Sequence, residues 1–520
     1  PAENVLVEQT NGDVNAFLGQ GRVKDKYTWN SGTSSYDSPD GFWDQLTKGT
    51  RGSGHTPSKY ASNPFFTKTD KSGVVWEFDR AVSSPKSVYV CTSITDPWGN
   101  AMLFTYNDTD PYQLDKITDT ESREVTFTYS SGLMTQLTVS NSSIHSDYGN
   151  VTIDYTYTGN LLTKATKHKT RQVEGGTVVR PYTDYTYLTS GIYNKDLDLV
   201  QDCGTTVLNF DYSSYGGARD RCTQVTDADG EVHTYAHEQG SSPTYSRYTD
   251  PSSQQRDFVH ADSANGDYFI AKVKEYLEDE DGDDLGGSYD LTITRDCDCG
   301  QITELLYPDT SEEKWTYDGF GNVTKYVRTS ASTEADLVKA WTYDTFGNHC
   351  RMLTSSGWLR QEAAPSAKVT WAYDGGGKLN TVTWPSVTTG QPSSQSIVWE
   401  YEFNSNGSLY WVDDANDDRV EYSYSGNDVT VIQDPAGLSR DWASVKDVMG
   451  HVTSSVDPSG NTTATVTVAP DGRVLKVVGG EGQESKSEYD LRGRRTKSST
   501  LLAGSTWTHT TYTVSAGGVT

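Results

Sequence analysis

The stretch that decides the fold repeats one short pattern: WTYDGFGNVT from Trp315, WTYDTFGNHC from Trp341, WAYDGGGKLN from Trp371 and WEYEFNSNGSL from Trp399. Each copy has an aromatic residue, one further residue, a tyrosine, and then a polar turn with a glycine. Residues two apart in a strand lie on one face, so Trp315 and Tyr317 are expected to point the same way. Asp and Asn tolerate tight turns and Gly adopts positive φ without penalty, so each copy predicts a strand, a turn and the start of a returning strand.

The repeat continues beyond these four copies. Anchor residues at equivalent positions are 26, 30, 30, 21, 22, 22 and 21 residues apart, and they are Tyr317, Tyr343, Tyr373, Phe403, Tyr424, Lys446, Val468 and Tyr489. A second turn signal lies between anchors, as in Asp457-Pro458-Ser459-Gly460, where Pro fits the second position and Gly the fourth. Two turns in a period of about 21 residues predict two strands per repeat. One hairpin cannot bury its own face, so the hairpins are expected to stack into a continuous sheet.

In its alternation of Tyr-Asp-x-x-Gly units, such as YDGFGNVT and YDLRGRRT, with Asp-Pro-x-Gly turns, the sequence resembles the RHS or YD-repeat proteins. The resemblance covers roughly residues 76 to 510. It implies a long β-sheet that spirals into a hollow shell. Members of the family are bacterial secreted or surface proteins, toxin-complex subunits that encapsulate a toxic C-terminal segment, and teneurins used in cell adhesion. The repeat residues that carry the signature are Trp315, Tyr317, Asp318, Gly321, Trp341, Tyr343, Asp344, Gly347, Trp371, Tyr373, Asp374, Gly377, Trp399, Tyr489, Asp490 and Gly493.

Composition favours an all-β fold with a hydrated interior. Counting glycine but not tyrosine, about 37% of the residues are apolar, against about 45–50% in a typical globular domain. The 33 Tyr and 13 Trp residues bury a large area while leaving a polar atom that can stay hydrated. Amphipathic helical periodicity is nearly absent. We therefore expect a repeat array of stacked β-hairpins forming a long spiralling sheet, either a YD-repeat shell or a hollow barrel-like solenoid.

Four regions are expected along the chain. Residues 1–75 form an irregular N-terminal β segment, 76–240 a first YD-repeat region, 241–300 an irregular acidic insertion, and 301–520 a regular YD-repeat region. The last region stops in mid-pattern, which predicts that it is the ordered portion of something longer. The acidic run at 278–284 does not fit the calcium-binding EF-hand template, because a Gly at the sixth position would make Leu277 the first ligand. A hydrated hairpin tip is the preferred interpretation of that run.

Charge restricts the partners. The formal net charge is −28, which disfavours binding to phosphate backbones and to anionic membranes. No run is long enough to insert into a bilayer, and the sequence read from Pro1 contains no signal-peptide pattern. An extracellular or cell-surface location is expected from the resemblance. Exposed strand edges predict self-association, head-to-tail or lateral, and a glycan or cell-surface receptor is left open as a partner.

The sequence gives no support for catalysis, a metal or a cofactor. It has no GxSxG elbow, no phosphate-binding loop and no GxGxxG motif. His233 and His237 resemble a metal pair, but the flanking alternation predicts a strand, on which four residues span about 13 Å. One zinc ion could not bind both side chains in that geometry.

Six cysteines and several glycosylation sequons complete the set of candidate sites. The cysteines are interpreted as disulfides or buried thiols, and Cys203–Cys222 is the first pairing to consider because the two flank consecutive strands. Turn positions favour Asn322, Asn406 and Asn461 among the N-x-[ST] sequons. Asn-rich turns before Thr-rich strands also generate this pattern by chance, so glycosylation stays open.

The sequence therefore predicts a non-enzymatic, secreted or cell-surface RHS/YD-repeat scaffold. Its role would be structural or adhesive, with assembly into extracellular fibres, because stacked hairpins satisfy backbone groups laterally and aromatic pairs lock neighbours together. One alternative is part of a toxin-encapsulating RHS shell. Another is a carbohydrate-active enzyme that uses the 241–287 insertion.

Overall fold

The computed structural model describes residues 4–512 apart from 19–24, 39–43, 54–56, 140–149, 190–194, 216–217, 239–244, 263–267, 279–283, 297–300, 332–335, 347–348, 357–358, 361–367, 388–394, 426–427, 434–439, 448–449 and 504–505. These residues form 44 β-strands and one 3-10 turn, Ser58–Tyr60. Of the strands, 42 belong to one sheet. The predicted all-β class is confirmed. No helix in the described part of the chain is long and apolar enough to cross a membrane.

The N-terminal strands are short. They are β1 Asn4–Glu8, β2 Val14–Leu18, β3 Asp25–Asn30, β4 Ser35–Asp37, β5 Gln45–Thr50, β6 Pro64–Thr69, β7 Val75–Val82 and β8 Ser87–Thr95. The next group runs to the middle of the chain: β9 Ala101–Tyr106, β10 Leu114–Thr118, β11 Glu124–Ser130, β12 Leu133–Val139, β13 Val151–Thr158, β14 Leu161–Thr166, β15 Thr170–Arg171, β16 Val178–Val179, β17 Tyr182–Tyr187, β18 Leu197–Asp202, β19 Thr205–Tyr215, β20 Ala218–Asp227, β21 Val232–Glu238 and β22 Tyr245–Thr249.

The remaining strands complete the array. The first of them are β23 Gln255–Asp262, β24 Tyr268–Glu278, β25 Asp284–Arg295, β26 Ile302–Leu306, β27 Glu312–Tyr317, β28 Val323–Thr329, β29 Leu337–Phe346, β30 His349–Ser356, β31 Leu359–Arg360, β32 Lys368–Tyr373 and β33 Leu379–Val387. The last are β34 Gln395–Phe403, β35 Leu409–Asp413, β36 Arg419–Ser425, β37 Asp428–Gln433, β38 Arg440–Lys446, β39 Val452–Val456, β40 Thr462–Val468, β41 Val474–Gly479, β42 Glu484–Tyr489, β43 Arg495–Ala503 and β44 Thr506–Thr511.

From β8 onward the sheet is a ribbon of hairpins in chain order. Each strand pairs antiparallel with the next, as β10 does with β11 and β27 with β28. The exceptions are β15 and β16, which pair only with each other, and β31, which pairs with β29 while β30 pairs with β32. Sequential antiparallel pairing satisfies backbone groups within neighbouring hairpins. The predicted array of stacked hairpins is therefore confirmed.

The N-terminal segment joins the array at a branch. Residues 1–75, predicted as an irregular β segment leading into the array, contain β1 to β6. Strand β8 pairs with β7 along one edge and with both β1 and β9 along the other, so the sheet branches there. Between the branches lies the main packed core of the described residues: Leu6, Val14, Ala16, Tyr27, Tyr36, Leu46, Phe66, Phe78, Tyr89 and Cys91. Its strands come from separate stretches of sequence, so no single repeat reveals it.

The region predicted as an irregular acidic insertion, 241–300, contains strands β22 to β25. In its described residues these strands pair in chain order, and β24 and β25 are 11 and 12 residues long. These strands lack the Tyr-Asp anchor, which is why the sequence pattern was lost there. The acidic tip at 279–283 lies outside the described residues.

The rest of the ribbon is a thin wall. Every residue of β12 and of β42 is half-buried, so neither face is packed away from water in the manner of a globular core. The total solvent-accessible surface is 29301 Å², whereas a compact monomer of 57.3 kDa exposes about 18,700 Å². A sheet with water on both faces accounts for this excess, in agreement with the predicted shell.

Candidate functional site: the repeat hairpin and the seam of the wall

The repeat turn is built around its aspartate. The Asp318 N–H donates to the carbonyl of Asn322 at 2.9 Å, and the Gly321 N–H donates to the carbonyl of Asp318 at 3.0 Å. Asp318 Oδ1 accepts the N–H groups of Phe320 and Asn322 at 2.8 and 2.9 Å. Gly321 has a φ of 69°, a left-handed conformation that glycine adopts without steric cost. The pattern is a type I turn closed by a glycine bulge.

The two turn signals of the sequence form one structure. In the Asp-Pro turn, the Gly460 N–H donates to the Asp457 carbonyl at 2.9 Å, and Asp457 Oδ1 accepts the N–H groups of Ser459 and Asn461, both at 2.9 Å. These are the same contacts as in the turn at Asp318. The two turns look different in the sequence because one has proline at its second position. Proline is compatible with that position but is not needed there.

Most of the predicted repeat residues have equivalent positions. Asp374 with Gly377 and Asp490 with Gly493 repeat the turn geometry, and the indole and phenol rings precede the turns at the ends of their strands. Asp344 differs, because β29 continues past it and Asp344 pairs with Arg351 in the ladder. Gly347 lies outside the described residues.

The anchor tyrosines tie neighbouring strands together. Eight hydroxyl groups donate to a backbone carbonyl near the start of the preceding strand in the ladder, over distances of 2.6 to 3.1 Å: Tyr129 to Leu114, Tyr157 to Met134, Tyr187 to Leu162, Tyr212 to Leu197, Tyr317 to Ile302, Tyr343 to Val323, Tyr373 to Met352 and Tyr489 to Val474. Burial raises the pKa of Tyr343, so its hydroxyl stays protonated as a donor. The periodic tyrosine is therefore a strand-to-strand clamp.

The ladder shifts register at almost every anchor. Breaks of this kind precede Tyr129, Tyr157, Tyr187, Tyr212, Tyr317, Tyr343, Tyr373, Phe403, Lys446, Val468 and Tyr489. A β-bulge bends the strand and increases its twist. One bulge per hairpin gives the ribbon a regular bend, which curves a long sheet.

This curvature brings the ribbon back onto itself. The turn between β8 and β9 contacts the turn between β34 and β35, where Asn100 Nδ2 donates to the carbonyl of Asn406 at 2.8 Å across 306 residues. The ring of Trp98 covers Gly407 so closely that a Cβ at this position would lie 2.7 Å from the ring. We call this line of contacts between successive windings the seam.

The seam continues through a second group of contacts. Arg473 Nη2 donates to Thr170 Oγ1 at 3.0 Å across 303 residues, and the Tyr489 N–H donates to the carbonyl of Gln172 at 2.9 Å. Glu174 lies between two lysines of the later winding, with its oxygens 3.6 Å from Lys476 Nζ and 3.5 Å from Lys486 Nζ. Offsets near 300 residues recur at each point, so one winding contains about that many residues.

The size of a winding follows from its strands. Between the two turns that meet at Asn100 and Asn406 the ladder runs from β9 to β34, without β15, β16 and β31, which gives 23 strands. At about 4.8 Å per strand the ladder is about 110 Å long, enough for a ring about 35 Å across. The ladder of one winding is therefore long enough to curve back to the seam.

The predicted disulfide is wrong. Cys203 and Cys222 are not joined to each other by a disulfide. Cys203, with a φ of 50°, lies in the turn between β18 and β19, whereas Cys222 pairs with Tyr212 in the ladder of β19 and β20. Tyr212 is seven residues into β19 from that turn, so the two cysteines are about 20 Å apart along the strand, beyond the reach of a disulfide. Cys203 Sγ instead faces the carbonyl of Leu491 at the seam, 3.7 Å away.

The three turn sequons occupy different surroundings. Asn322 Nδ2 donates to Asp318 Oδ2 at 3.0 Å, and Asn461 Nδ2 donates to Asp457 Oδ2 at 3.4 Å. Asn406 is exposed, although its carbonyl belongs to the seam. Glycosylation at these asparagines stays a prediction.

One cluster of potential ligands was missed by the sequence reasoning. The ligand atoms of Asp227, Glu231 and His233 lie within 4.8 Å of one another. His233 is in strand β21, as predicted, and its Nδ1 is 2.8 Å from the hydroxyl of Tyr248. The spacing of these residues in the sequence could have predicted the group. Glu231 is the fifth residue of the turn that begins at Asp227, and His233 follows two residues later. Half-exposed acidic turns of this kind are common without an ion, so the cluster alone does not establish a metal centre.

Solved structures with a similar fold come from toxin complexes. The crystal structure of TcdB2-TccC3-TEV matches 91% of this chain with a TM-score of 0.57 and 12% identity. The Photorhabdus luminescens Tc holotoxin pore, with a variant of TccC3, matches 91% with a TM-score of 0.58 and 12% identity. This chain spans 27% of the length of each matched chain. No family model matches the sequence, and no curated protein does.

At 12% identity the likeness concerns the fold alone. It agrees with the all-β class of the chain. This chain therefore has an all-β hairpin-ribbon fold similar to that of part of the chains in these Tc toxin structures.

Proposed function

We propose that this chain forms part of the wall of a hollow RHS-type shell that encloses a polypeptide, in a secreted or surface-exposed protein. The contact between Asn100 and Asn406 supports this function most strongly, because a ribbon that meets itself after 306 residues surrounds a space. The wall acts by exclusion, since a continuous backbone ladder leaves no gap between strands wide enough for another chain. The proposal assigns no catalytic role.

The similar proteins support the same function. Tc toxin chains share the fold, and the sequence resemblance to YD-repeat proteins implies encapsulation of a toxic segment. This chain spans 27% of the length of the matched chains. The proposal therefore includes a larger shell, to whose wall this chain contributes one part.

Imaging of the purified chain tests the shape. Electron microscopy is expected to show a hollow ring or short cylinder about 35 Å across, as the spacing of 23 strands requires. Small-angle scattering should give a distance distribution with a depleted centre. A thin fibre or a solid globule would contradict the proposed wall.

A protease experiment tests enclosure separately. A flexible reporter peptide with one protease site is attached after Thr520, and the same peptide is attached to a compact control protein of similar size. Slower cutting on this chain is expected, because the wall excludes the protease. Equal cutting rates together with a hollow image would retain the fold and reject the enclosing role.

A second candidate function is adhesion, and one surface favours it. Trp384, Trp399 and Trp442 lie on the same face of the ribbon, since the ladder connects them through residues that pair directly or stand two apart in a strand. Their side chains are 47, 37 and 45% exposed. Exposed aromatic rings are typical of binding surfaces, which makes a glycan the ligand to test.

Binding of soluble polysaccharides checks the adhesive candidate. Replacing Trp384, Trp399 and Trp442 together by alanine is expected to abolish binding if this face points outward. Tyr289→Ala is the control, because Tyr289 is 55% exposed on a different part of the ribbon. An unchanged affinity in the triple variant would reject this surface as the adhesive site. Fibre formation has no supporting contact among the described residues and stays a prediction.

A further inference from the structure

A lysine and an aspartate meet inside the N-terminal core. Lys68 on β6 pairs with Leu46 on β5 and with Trp76 on β7. It stands two residues from Phe66, which is fully buried, and therefore lies on the same face of the strand. Its Nζ is 2.6 Å from Asp44 Oδ2, and the two side chains are 10 and 5% exposed. The pair is thus enclosed in the packed N-terminal unit.

The surroundings of this pair are poorly suited to charges. Asp44 Oδ1 has no hydrogen-bond partner among the described residues, nor has Trp76 Nε1. The Trp76 ring centroid is 5.6 Å from Lys68 Nζ. Burial of an ion pair is favourable only when the remaining polar atoms are also satisfied. Here one carboxylate oxygen is left without a donor.

A second buried carboxylate in the same unit shows the contrast. Both oxygens of Asp79 are engaged: Arg51 Nε donates to Oδ1 at 2.7 Å, while Arg51 Nη2 and Thr92 Oγ1 donate to Oδ2 at 3.0 and 2.7 Å. Both carboxylate oxygens of Asp79 are therefore satisfied. Asp44 has only the lysine on Oδ2 and no donor on Oδ1, so an amide between the two side chains would replace a buried ion pair that is incompletely satisfied.

We propose that Lys68 and Asp44 condense into an intramolecular isopeptide bond. A proton first passes from Lys68 Nζ to Asp44 Oδ2 along their hydrogen bond, which gives a neutral amine and a neutral acid. The nitrogen lone pair then attacks Asp44 Cγ and forms the C–N bond. The C–O bond breaks, and the hydroxyl leaves with a second amine proton as water. Atoms and charge balance without an oxidant or any other reactant.

The geometry favours this reaction over hydrolysis. Fixing two groups in contact replaces a bimolecular encounter, and effective concentrations then exceed those of free reactants by many orders of magnitude. Exclusion of water also removes the reactant that would hydrolyse the new amide. The product joins the start of β5 to β6 and replaces a buried ion pair by a neutral amide, so the N-terminal unit becomes covalently closed between residues 44 and 68.

Lys26 and Asp13 form a similar ion pair in the same unit, but this pair lacks burial of the lysine. Lys26 Nζ is 2.7 Å from Asp13 Oδ2, a distance close to that of the proposed pair, but Lys26 is 53% exposed. Asp13 Oδ1 also accepts the Trp29 N–H at 3.0 Å. Desolvation activates a lysine amine as a nucleophile, and the exposed Lys26 lacks this desolvation. Lys26 and Asp13 are therefore expected to remain unlinked.

Intact mass spectrometry of the denatured full chain tests the proposal. The expected mass is lower than the sequence mass by one water, about 18 Da, and digestion should give a branched peptide that contains Lys68 and Asp44. Lys68→Arg and Asp44→Ala are expected to restore the full mass, whereas Lys26→Arg should retain the deficit. Asp44→Asn should react with loss of ammonia, a deficit of about 17 Da.

The wild-type protein decides the question even where a variant does not fold. A mass equal to that of the sequence overturns the proposal. A water deficit that maps to any other pair of residues overturns it equally. Melting temperatures provide a second readout, since a linked N-terminal unit should unfold at a higher temperature than that of Lys68→Arg.

Discussion

The hydroxyl of Tyr373 donates a 2.8 Å hydrogen bond to the backbone carbonyl of Met352 on the neighbouring strand. Because this contact recurs at eight anchors, the tyrosine of the repeat acts through its hydroxyl as well as its ring. Tyr373→Phe is expected to lower the free energy of unfolding by about 1 kcal/mol. Tyr373→Ala also removes the ring and should cost about 3 kcal/mol. Urea unfolding followed by circular dichroism measures both changes.

The control for this pair of variants is Tyr410→Phe. The side chain of Tyr410 is 42% exposed, so loss of its hydroxyl should change the free energy of unfolding by less than about 0.5 kcal/mol. Equal effects of the two phenylalanine variants would mean that the clamp adds nothing to the strength of the ladder.

The repeat hairpin was predictable because its chemistry is local. Asp318, Gly321 and Asn322 form all the contacts of their turn within five residues, and such contacts follow from residue type and spacing. The strand class and the stacking followed for the same reason. The bulge before each anchor has no sequence signal of its own and was not foreseen.

Contacts between residues that are far apart in the sequence could not be predicted from the repeat pattern. The seam joins Asn100 to Asn406, and nothing in either turn encodes the other. The N-terminal core combines β1 to β4 with β5 to β8, and the contact between these two groups depends on the branch at β8. The predicted Cys203–Cys222 disulfide failed for a similar reason. It assumed that residues flanking consecutive strands lie close together, whereas Cys203 is in a turn and Cys222 is several residues further along the ladder.

The seam predicts a difference between two glycines. Gly407 and Gly460 have φ values of 82° and 78°, so an alanine at either position adopts a strained left-handed conformation at a cost of about 1–2 kcal/mol. At Gly407 the added methyl group also displaces the Trp98 ring, whereas the space around Gly460 is open. Gly407→Ala should therefore destabilise the chain by about 1 kcal/mol more than Gly460→Ala does.

Two measurements follow the seam variants. Thermal unfolding gives the difference in stability, and hydrogen exchange should increase in β9 and β35 for Gly407→Ala alone. Identical exchange in both variants would argue against contact between the windings in solution.

No disulfide is expected between Cys203 and Cys222. Iodoacetamide under denaturing, non-reducing conditions should alkylate both, and prior reduction should not change the extent, because the two sulfur atoms are too far apart to be joined. In the native chain both should react slowly, since burial raises the pKa of each thiol and the thiolate is the reactive form. Peptide mapping by mass spectrometry provides the check. Detection of a peptide pair linked through Cys203 and Cys222 would contradict the prediction.

The last prediction concerns acid stability. Burial alone would raise the pKa of Asp257, but hydrogen bonds from Arg247 and Tyr276 and the charge of Arg247 outweigh it, so the pKa lies below its ordinary value. Arg247 Nε is 2.6 Å from Asp257 Oδ1, and Asp257 is 4% exposed. A lowered pKa means that the pair stabilises the fold above the unfolded pKa of about 3.9 and that this contribution is lost as the pH falls through the folded pKa.

Asp257→Asn should therefore cost about 3 kcal/mol at pH 7, because it leaves the half-buried Arg247 without its counter-charge. The deficit relative to the wild type should shrink as the pH is lowered below about 4. Asp108→Asn serves as the control: Asp108 pairs with Lys59 at 2.9 Å but is 88% exposed, so its removal should cost less than about 0.5 kcal/mol. Urea midpoints between pH 2.5 and 7, as an approximate range on either side of that unfolded pKa, measure both variants. A deficit for Asp257→Asn that stays constant across this range would show that the Asp257 carboxylate contributes through packing and not through its charge.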